Sequence, residues 1–428
     1  MIEIIDIFLL FIIFSLFVSG PLSIYNLDNG NLKIEGKLNL YFNLLINLNI
    51  LLYLSILPLK LSEYIYIIYA LLIFLLIKNY LLNLKKNNIK SSFSYLLIFF
   101  AMFFVLAIDI SNKLNLSWDS KWFWFIKSLY FFQDNTYEQL SGYTYNDFHP
   151  HLGSYLWAFF RKISLNQYEY FGRLFYLFIY LGSLMLVANS FFKKNIYNSI
   201  IFILLIILNY KYYYFSGLQE VILFSFLIII SKLVFDYINN RNFLYLIFIT
   251  LALNLILWTK SEGIAFFFIT LICINFIKKI NINHRIKFNL IMLFFLILKI
   301  TIFKIFDIKL NNQPYYLDYI LSLNFDLIIF KILNISAYLF YYSLTNIIFI
   351  IFPLIILFKL KKIFNNEFDK FNFNFYFLNI LFIFSAYLFR DMEIVYSLKT
   401  TIDRIVFASS GFYLLYIINY LKSLSFKN

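Results

Sequence analysis

Charged residues are scarce in this sequence, and their scarcity excludes a soluble globular protein. Only 14% of the 428 residues are Asp, Glu, Lys or Arg, whereas 62% are hydrophobic. A soluble domain has about 25% charged and about 45–50% apolar residues. Water therefore cannot be the main solvent of the folded chain.

Cysteine and familiar catalytic motifs are also lacking. The single cysteine, Cys273, lies within an apolar segment. No disulfide can form within one chain, and the residue is interpreted as a small packing side chain. The sequence has no glycine-rich phosphate loop, no CxxC pair and no HExxH helix. Soluble nucleotide chemistry is therefore without support.

Basic residues exceed acidic ones, with a formal net charge of +14. They are scattered between hydrophobic segments and form no basic stripe of the kind that binds nucleic acid. The pattern predicts that they orient the chain in a membrane, and it predicts no nucleic-acid partner.

Long apolar runs are what the sequence has in abundance. Many approach the ~20 residues that cross a bilayer, and in lipid each backbone amide must be paired within its own segment. The predicted fold is all-α, a polytopic transmembrane bundle of about 13 helices. These lie at 4–19, 39–57, 62–82, 92–109, 170–191, 197–210, 218–235, 242–258, 262–278, 288–306, 345–360, 374–390 and 403–420.

The basic residues of the short links predict the sidedness, because Lys and Arg mark the cytoplasmic side. They cluster at Lys85, Lys86 and Lys90, at Lys193 and Lys194, at Lys278, Lys279, Arg285 and Lys287, at Lys359, Lys361 and Lys362, and at Lys422 and Lys427. All of these clusters can be cytoplasmic only if two further apolar stretches, 148–161 and 327–343, do not cross the membrane. The chain must leave each of them on the same side on which it entered. Both are therefore predicted to be juxtamembrane or re-entrant helices on the outer face.

This sidedness also suggests a division into domains. Residues 1–360 are predicted to form a transmembrane catalytic module with an external loop at 110–169, and 361–428 a set of C-terminal transmembrane helices. The polar residues discussed next all fall on the predicted outer face.

The external loop carries two aspartates, Asp109 and Asp119, and a nearby cation, Lys127. Asp119 lies between Trp118 and Trp122, at the head of a predicted amphipathic interfacial helix. A catalytic carboxylate fits this position. A helix N-cap next to an aromatic belt explains the same residues without any chemistry.

His149 and His151 flank Pro150 further along the loop. Because Pro150 favours an extended backbone, both rings can reach one metal ion or one phosphate. No third ligand accompanies them. His149 is also explained as a solvated loop residue.

Two further groups of charges interrupt apolar segments. Lys260 and Glu262 lie where the predicted span 242–258 gives way to the span 262–278, and charges there are costly unless they are paired or functional. A short turn at the membrane interface explains them as well. Arg390 and Arg404 lie at helix ends, with Asp391 and Asp403 as simple counter-ions.

Taken together, these residues resemble the C-superfamily of glycosyltransferases, and within it the branch similar to dolichyl-phosphate-mannose protein mannosyltransferases and the bacterial aminoarabinose transferase. The likeness covers 92–280 and, less closely, 395–410. It is carried by Asp119 with Trp122 and Trp124, by His149-Pro150-His151-Leu152, by Glu169 with Arg173-Leu174, and by Trp258-Thr259-Lys260-Ser261-Glu262-Gly263. The family's acidic pair is Asp119-Ser120 here, and one of its two prolines remains.

The resemblance implies a polyprenyl-phosphate-linked sugar donor and a lipid, glycan or protein acceptor at the outer face of a bacterial inner membrane. It implies inversion with Asp119 as base and Asp109 as the second catalytic candidate. Lys260, Arg404 and His151 are expected to bind the donor phosphate, with His149, Lys127, Glu262 and Arg390 nearby. No cofactor is specified, and use of a divalent metal is left open.

The main alternative is a transporter or flippase of lipid-linked saccharides, which also has many helices and intramembrane charges. Such a protein is expected to show inverted repeats and charges near the middle of the membrane. Here the predicted charges gather at one interface, which favours an enzyme. A second alternative is a non-catalytic membrane scaffold, in which these charges would not converge on one site. A third is a polysaccharide polymerase or ligase, which is expected to have a large external loop rich in Arg and His late in the chain.

Overall fold

The structure is a computed structural model and describes residues 2–19, 36–83, 93–140, 149–189, 195–278, 280–308, 324–363, 366–390 and 393–425. Within these ranges the chain forms 17 α-helices and no β-strand. The predicted all-α class is confirmed. The chain divides into two compact units, unit 1 of residues 1–222 and unit 2 of residues 223–428.

Unit 1 contains nine of the helices, with a π-helical turn at Ser120–Phe125 and a 3-10 turn at Tyr212–Phe215. The helices are α1 (Ile2–Ser19), α2 (Gly36–Ile56), α3 (Leu61–Asn83), α4 (Phe93–Asn112), α5 (Ile126–Phe132), α6 (Tyr137–Leu140), α7 (Leu152–Ile163), α8 (Glu169–Ala188) and α9 (Asn195–Asn209).

The boundary between the units falls in the first turn of α10 (Glu220–Asn240). Unit 2 then contains α11 (Phe243–Thr259), α12 (Gly263–Asn275), α13 (Ile282–Ile305), α14 (Phe325–Thr345), α15 (Ile347–Ile363), α16 (Glu367–Leu388) and α17 (Ile394–Ser425).

Each of the predicted spans coincides with a helix, although the ends differ by several residues. Of the helices in the described ranges, six are long and apolar enough to cross a membrane: α8, α10, α13, α14, α16 and α17. Shorter apolar helices accompany them. These helices indicate an integral membrane protein, whereas the number of spans stays a prediction.

The division into units differs from the predicted boundary after residue 360. Helices α16 and α17 pack against α12, α14 and α15, so 361–428 shares its core with the helices before it. The polar link at 359–374 suggested a boundary. Most of it belongs to the end of α15 and the start of α16, which lie side by side.

Aromatic side chains form the core of unit 1, where α8 is buried on almost every face. The rings of Phe160 and Phe175 stack with centroids 3.8 Å apart, and Phe14 meets Phe160 edge to face at 5.0 Å. Offset and edge-to-face pairs of this kind add to the stabilisation from burial. They hold α1, α7 and α8 together.

Three contacts in unit 1 join turns that lie at one end, and the side of the membrane that this end faces stays a prediction. They join Asp6 to the backbone nitrogens of Leu165 and Asn166, Asp134 to the backbone nitrogen of Ser62, and Asp109 to the Tyr210 hydroxyl. The start of α1, the α2–α3 turn, the loop after α4 and the turn after α9 therefore share that end. The clusters at Lys85 and Lys193 lie outside the described residues.

Contacts in unit 2 show which basic clusters lie at the same end. The backbone nitrogen of Lys278 donates to Glu367 at 3.1 Å, and Lys359 lies 3.7 Å from Asp369. Two of the basic clusters thus share one end. The Lys260 turn precedes α12, whereas Lys278 follows it. The turn therefore lies at the opposite end of that helix.

Helix α14 covers the stretch predicted to be juxtamembrane. It has the length and composition to cross a membrane, but it runs in series with α15 along α17. The Tyr342 hydroxyl donates to the Lys399 carbonyl at 3.3 Å, and Phe352 then stacks on Tyr413 at 4.4 Å. With 32 residues, α17 is about 48 Å long at ~1.5 Å per residue, well beyond a ~30 Å hydrocarbon core. The chain does not reverse between α14 and α15, and that α14 lies outside the membrane stays a prediction.

The other stretch predicted to be juxtamembrane or re-entrant, 148–161, forms α7, a helix of 12 residues. At ~1.5 Å per residue it is about 18 Å long, too short to span a bilayer. It packs between α5 and α8 with most of its side chains buried. That α7 lies at the outer face stays a prediction.

Sidedness can be tested by cysteine labelling in unit 2. After Cys273→Ser, we expect Ser261→Cys in the exposed Lys260 turn to react with an impermeant maleimide added to intact cells. Asn283→Cys, which is exposed at the opposite end, should react only after the cells are permeabilised. The reverse labelling would place the Lys260 turn in the cytoplasm and contradict the predicted orientation.

Candidate functional site

Asp109 lies in the last turn of α4 and fastens the following loop. Its carboxylate pairs with Lys113 at 2.7 Å and accepts a hydrogen bond from the Tyr210 hydroxyl at 2.7 Å. The Tyr212 hydroxyl donates to the Asn115 carbonyl at 3.0 Å. These contacts join the chain after α4 to the turn after α9. Asp109 therefore has a structural role that the sequence did not reveal.

Asp119 lies at the start of the helix that continues into α5, but it is not the capping residue. The Ser117 Oγ accepts a hydrogen bond from the Ser120 backbone nitrogen at 3.3 Å. The Asp119 side chain makes no capping hydrogen bond, and its backbone is already helical, with φ −58° and ψ −38°. The interpretation of Asp119 as a simple N-cap therefore does not hold. The carboxylate is half-buried and precedes a π-helical turn, a feature that often occurs at functional sites.

A close contact sets the position of this π-helical turn. Gly217 has a φ of +91°, and a Cβ there would lie 2.6 Å from the Trp157 ring and 2.9 Å from the Ser120 Cβ. The backbone nitrogen of Ser117 donates to the Ser216 carbonyl at 3.2 Å. Glycine at 217 is thus required by both the backbone conformation and the available space.

Lys127 and His149 come together beside the same turn. The buried Lys127 amino group donates to the His149 carbonyl oxygen at 2.7 Å. The His149 ring lies 5.6 Å from the ring of Trp124. Trp118 and Trp122 are 66% and 58% exposed, as expected of aromatic residues at a membrane interface.

His151 is placed differently from the prediction. Its Nε2 atom lies 2.7 Å from the Ser55 Oγ, and its ring lies 4.3 Å from Tyr137 and 5.8 Å from Phe131. The side chain has no exposed surface. With Nε2 on Ser55 and the ring packed against Tyr137 and Phe131, His151 is placed as a packing residue, and nothing in its position supports a phosphate contact. It packs α2 against α5 and α6.

The histidine pair by itself supplies only two ligands of a metal site. Among the residues that the structure describes, no group of three or more His, Cys, Asp or Glu side chains is placed to hold a metal ion. The structure therefore adds no third ligand to the pair, and metal use is still open.

Glu169 and Arg173, part of the family resemblance, form an internal clamp in unit 1. The fully buried Arg173 makes two hydrogen bonds to the Glu169 carboxylate, at 2.7 and 2.8 Å, and a third to the Phe215 carbonyl at 2.9 Å. The Trp157 indole donates to the Glu169 carbonyl at 3.0 Å. This clamp supports the Trp157 ring, against which Gly217 packs.

In unit 2, Lys260 and Glu262 form an ion pair in the turn between α11 and α12. The two side-chain atoms are 2.9 Å apart, and the side chains are only 11% and 23% exposed. A Cβ at Gly263 would lie 2.1 Å from the Ile256 carbonyl oxygen. Only glycine permits so close a return of the chain, which fixes the pair at the tip of a tight hairpin.

Arg404 of α17 and Arg390, which follows the end of α16, lie near this turn. Burial opposes the charged form of Glu262, but Lys260 and, to a smaller extent, Arg404 hold the pKa of its carboxyl below the usual range. Glu262, Arg390 and Arg404 all lie within electrostatic range of the Tyr387 hydroxyl. The structure thus brings together four charges that the sequence had only placed on one face. We call Lys260, Glu262, Arg390 and Arg404 the Lys260 cluster.

Two lysines that the sequence reasoning missed support the turns of this cluster. The buried Lys299 of α13 donates to the Leu257 carbonyl near the end of α11 at 2.5 Å. The buried Lys331 of α14 donates to the carbonyls of Leu388 and Arg390 at 3.1 and 2.9 Å. Each caps a helix end whose carbonyls have no intrahelical partner. A lone lysine inside an apolar run was the signal for both.

Comparison with known protein families, with curated proteins and with solved structures gives no match to this chain. The residues and their geometry are therefore the basis for inferring a function.

Proposed function

We propose that this protein is a membrane glycosyltransferase that moves a sugar from a lipid-phosphate donor to a lipid, glycan or protein acceptor. The Lys260 cluster is the observation that carries the proposal. Three of its members are cations and one is a carboxylate; Lys260, Glu262 and Arg390 lie next to helix ends, and Arg404 lies within α17. Cations held at a membrane interface suit the phosphate of a lipid-linked sugar, whose charge grows as the sugar leaves. The outer face of a bacterial inner membrane is the proposed location.

In the proposed reaction an acceptor hydroxyl attacks the anomeric carbon from the side opposite the phosphate. A new bond forms between that carbon and the acceptor oxygen, and the bond to the phosphate oxygen breaks with inversion. The lipid phosphate leaves with the electron pair, and a carboxylate base takes the hydroxyl proton, a role that the family resemblance gives to Asp119. Lys260 and Arg404 stabilise the leaving phosphate, and Glu262 orients Lys260.

The proposal can be tested on the purified protein in lipid nanodiscs with polyprenyl-phosphate-linked hexoses. Transfer of the sugar to an acceptor, with release of polyprenyl phosphate, is the expected result. A deletion strain should accumulate the lipid-linked donor. Absence of transfer by the purified protein, together with movement of lipid-linked saccharides across vesicle membranes that contain it, would favour the transporter or flippase alternative.

Lys260→Ala is expected to weaken donor binding roughly tenfold to hundredfold, because a hydrogen bond to a charged phosphate is lost. Lys260→Arg should retain part of the affinity, since it keeps the charge with different geometry. The measurement is binding of a polyprenyl monophosphate to each variant in nanodiscs.

Two controls accompany this measurement. The double variant Lys260→Ala/Glu262→Gln removes the ion pair without leaving a lone carboxylate and should bind as weakly as Lys260→Ala. Lys304→Ala removes an exposed lysine of α13 and should bind as the natural protein does. Equal affinity in all variants would reduce Lys260 to a structural residue of the turn.

A further inference from the structure

A second group of basic side chains lies at the opposite end of unit 2, where the α10–α11 turn meets the start of α13. The Tyr237 hydroxyl lies 3.4 Å from Nδ1 of His284, and the guanidinium of Arg241 lies 5.9 Å from the Tyr237 ring. The Phe243 ring lies 5.1 Å from His284 and 5.7 Å from the Lys287 amino group. Three basic side chains thus surround two aromatic rings.

Arg285 completes the group. Its Nη2 donates to the Ile277 carbonyl at 2.9 Å, and its charge, like that of Arg241, acts on the Tyr237 hydroxyl. We call Arg241, His284, Arg285 and Lys287 the Arg285 cluster. In the described part of the chain neither arginine makes an ion pair, so the cluster is an excess of positive charge.

Two donor atoms of this cluster are buried and have no acceptor among the described residues, Nη1 of Arg241 and Nε of Arg285. A buried N–H group without a partner is unfavourable and rare in folded proteins. Lysines that only orient a membrane protein need no burial, as exposed Lys278 at the same end illustrates. The two arginines thus keep hydrogen-bond donors that an anion could accept.

The surroundings favour a lipid as the source of this anion. Below the cluster, α13 exposes Ile286, Leu290, Leu293 and Ile297 along one face, at spacings of four, three and four residues. An acyl chain can lie along this stripe while its phosphate meets the basic side chains. Basic pockets between helix ends at the cytoplasmic side are typical sites for anionic headgroups, and arginine binds phosphate oxygens in a bidentate manner.

We propose that the Arg285 cluster binds the phosphate of an anionic phospholipid. The site lies at the predicted cytoplasmic end and is separate from the Lys260 cluster. It does not depend on the proposed glycosyltransferase activity.

The test is native mass spectrometry of the full-length protein in detergent, with added phosphatidylglycerol or phosphatidylcholine of the same acyl chains. We expect at least tenfold greater retention of phosphatidylglycerol. Arg241→Gln/Arg285→Gln should lower it to the level of phosphatidylcholine, and Lys287→Gln, at an exposed position that spares the packing, should lower it at least threefold. Lys278→Gln is the matched control and should retain the lipid fully.

Equal retention of the two lipids, or unchanged retention in both cluster variants, would overturn the proposal. The last measurement adds an excess of inorganic phosphate to the protein with bound phosphatidylglycerol. Failure of phosphate to displace phosphatidylglycerol supports a lipid site. Complete displacement by phosphate, with equal thermal protection by phosphate alone, would show an anion site without lipid specificity and reject the phospholipid. None of these measurements involves sugar transfer, so their failure and that of the glycosyltransferase proposal are distinguishable.

Discussion

Replacing Asp119 with asparagine is expected to reduce sugar transfer about 10²–10⁴-fold, the usual contribution of a general base. The protein should still fold, because Ser117 caps this helix and the Asp119 side chain makes no capping bond. The measurement is single-turnover transfer from a polyprenyl-phosphate sugar, with thermal stability determined on the same preparation.

Asp109→Asn is the matched control for this experiment. It removes the ion pair with Lys113, which is 51% exposed, and it keeps an oxygen to accept the Tyr210 hydrogen bond. An exposed pair of this kind contributes about 0–1 kcal/mol, so activity should be nearly unchanged. Loss of transfer in Asp109→Asn alone would move the base to that residue. Full activity of both variants would reject the proposed mechanism.

Arg173→Leu is expected to be the most destabilising single substitution among those considered. Arg173 is fully buried, holds Glu169 through two hydrogen bonds and donates a third to the Phe215 carbonyl. Removing one partner of a buried ion pair costs about 3–5 kcal/mol, because the other charge is left uncompensated. Thermal unfolding followed by tryptophan fluorescence should report it, since the clamp supports Trp157.

Two variants check this explanation. Glu169→Leu/Arg173→Leu should be more stable than Arg173→Leu alone, because no unpaired charge is left. Arg161→Leu removes a half-buried arginine that donates to the Gln167 carbonyl at 2.8 Å and stacks on Phe132 at 4.2 Å. Its expected cost is about 1 kcal/mol. Equal destabilisation by both single variants would show that side-chain packing, and not the ion pair, supports this region.

The candidate site was predictable in part from neighbours along the chain. Lys260 and Glu262 are two residues apart, so their pairing follows from the turn that joins two apolar segments. That Arg404 lies near them does not follow from spacing, because 142 positions separate Arg404 from Glu262; it was implied only by the family resemblance. The chemical roles assigned to these residues are still predictions.

Other features of the site misled the sequence reasoning for identifiable reasons. Aspartate at a helix start is a common cap, but a serine two residues earlier takes that position here. A histidine beside a proline in a polar loop looked accessible, but His151 packs against Ser55, 96 residues away. The roles of Lys299 and Lys331 were not predicted, because a single lysine in an apolar run looks like a chance interruption of a hydrophobic helix.

The sequence by itself determined that this protein is helical and membrane-embedded. Apolar runs of about 20 residues fit the thickness of a bilayer, and a helix pairs all the backbone amides that cannot stay unpaired in lipid. These are local properties of each segment. Only the tertiary structure decided where the two units divide, that α14 and α15 run in series, and which polar side chains are clamped, buried or grouped at helix ends. Those features depend on contacts between segments far apart in the chain, and hydrophobic periodicity carries no record of which segments meet.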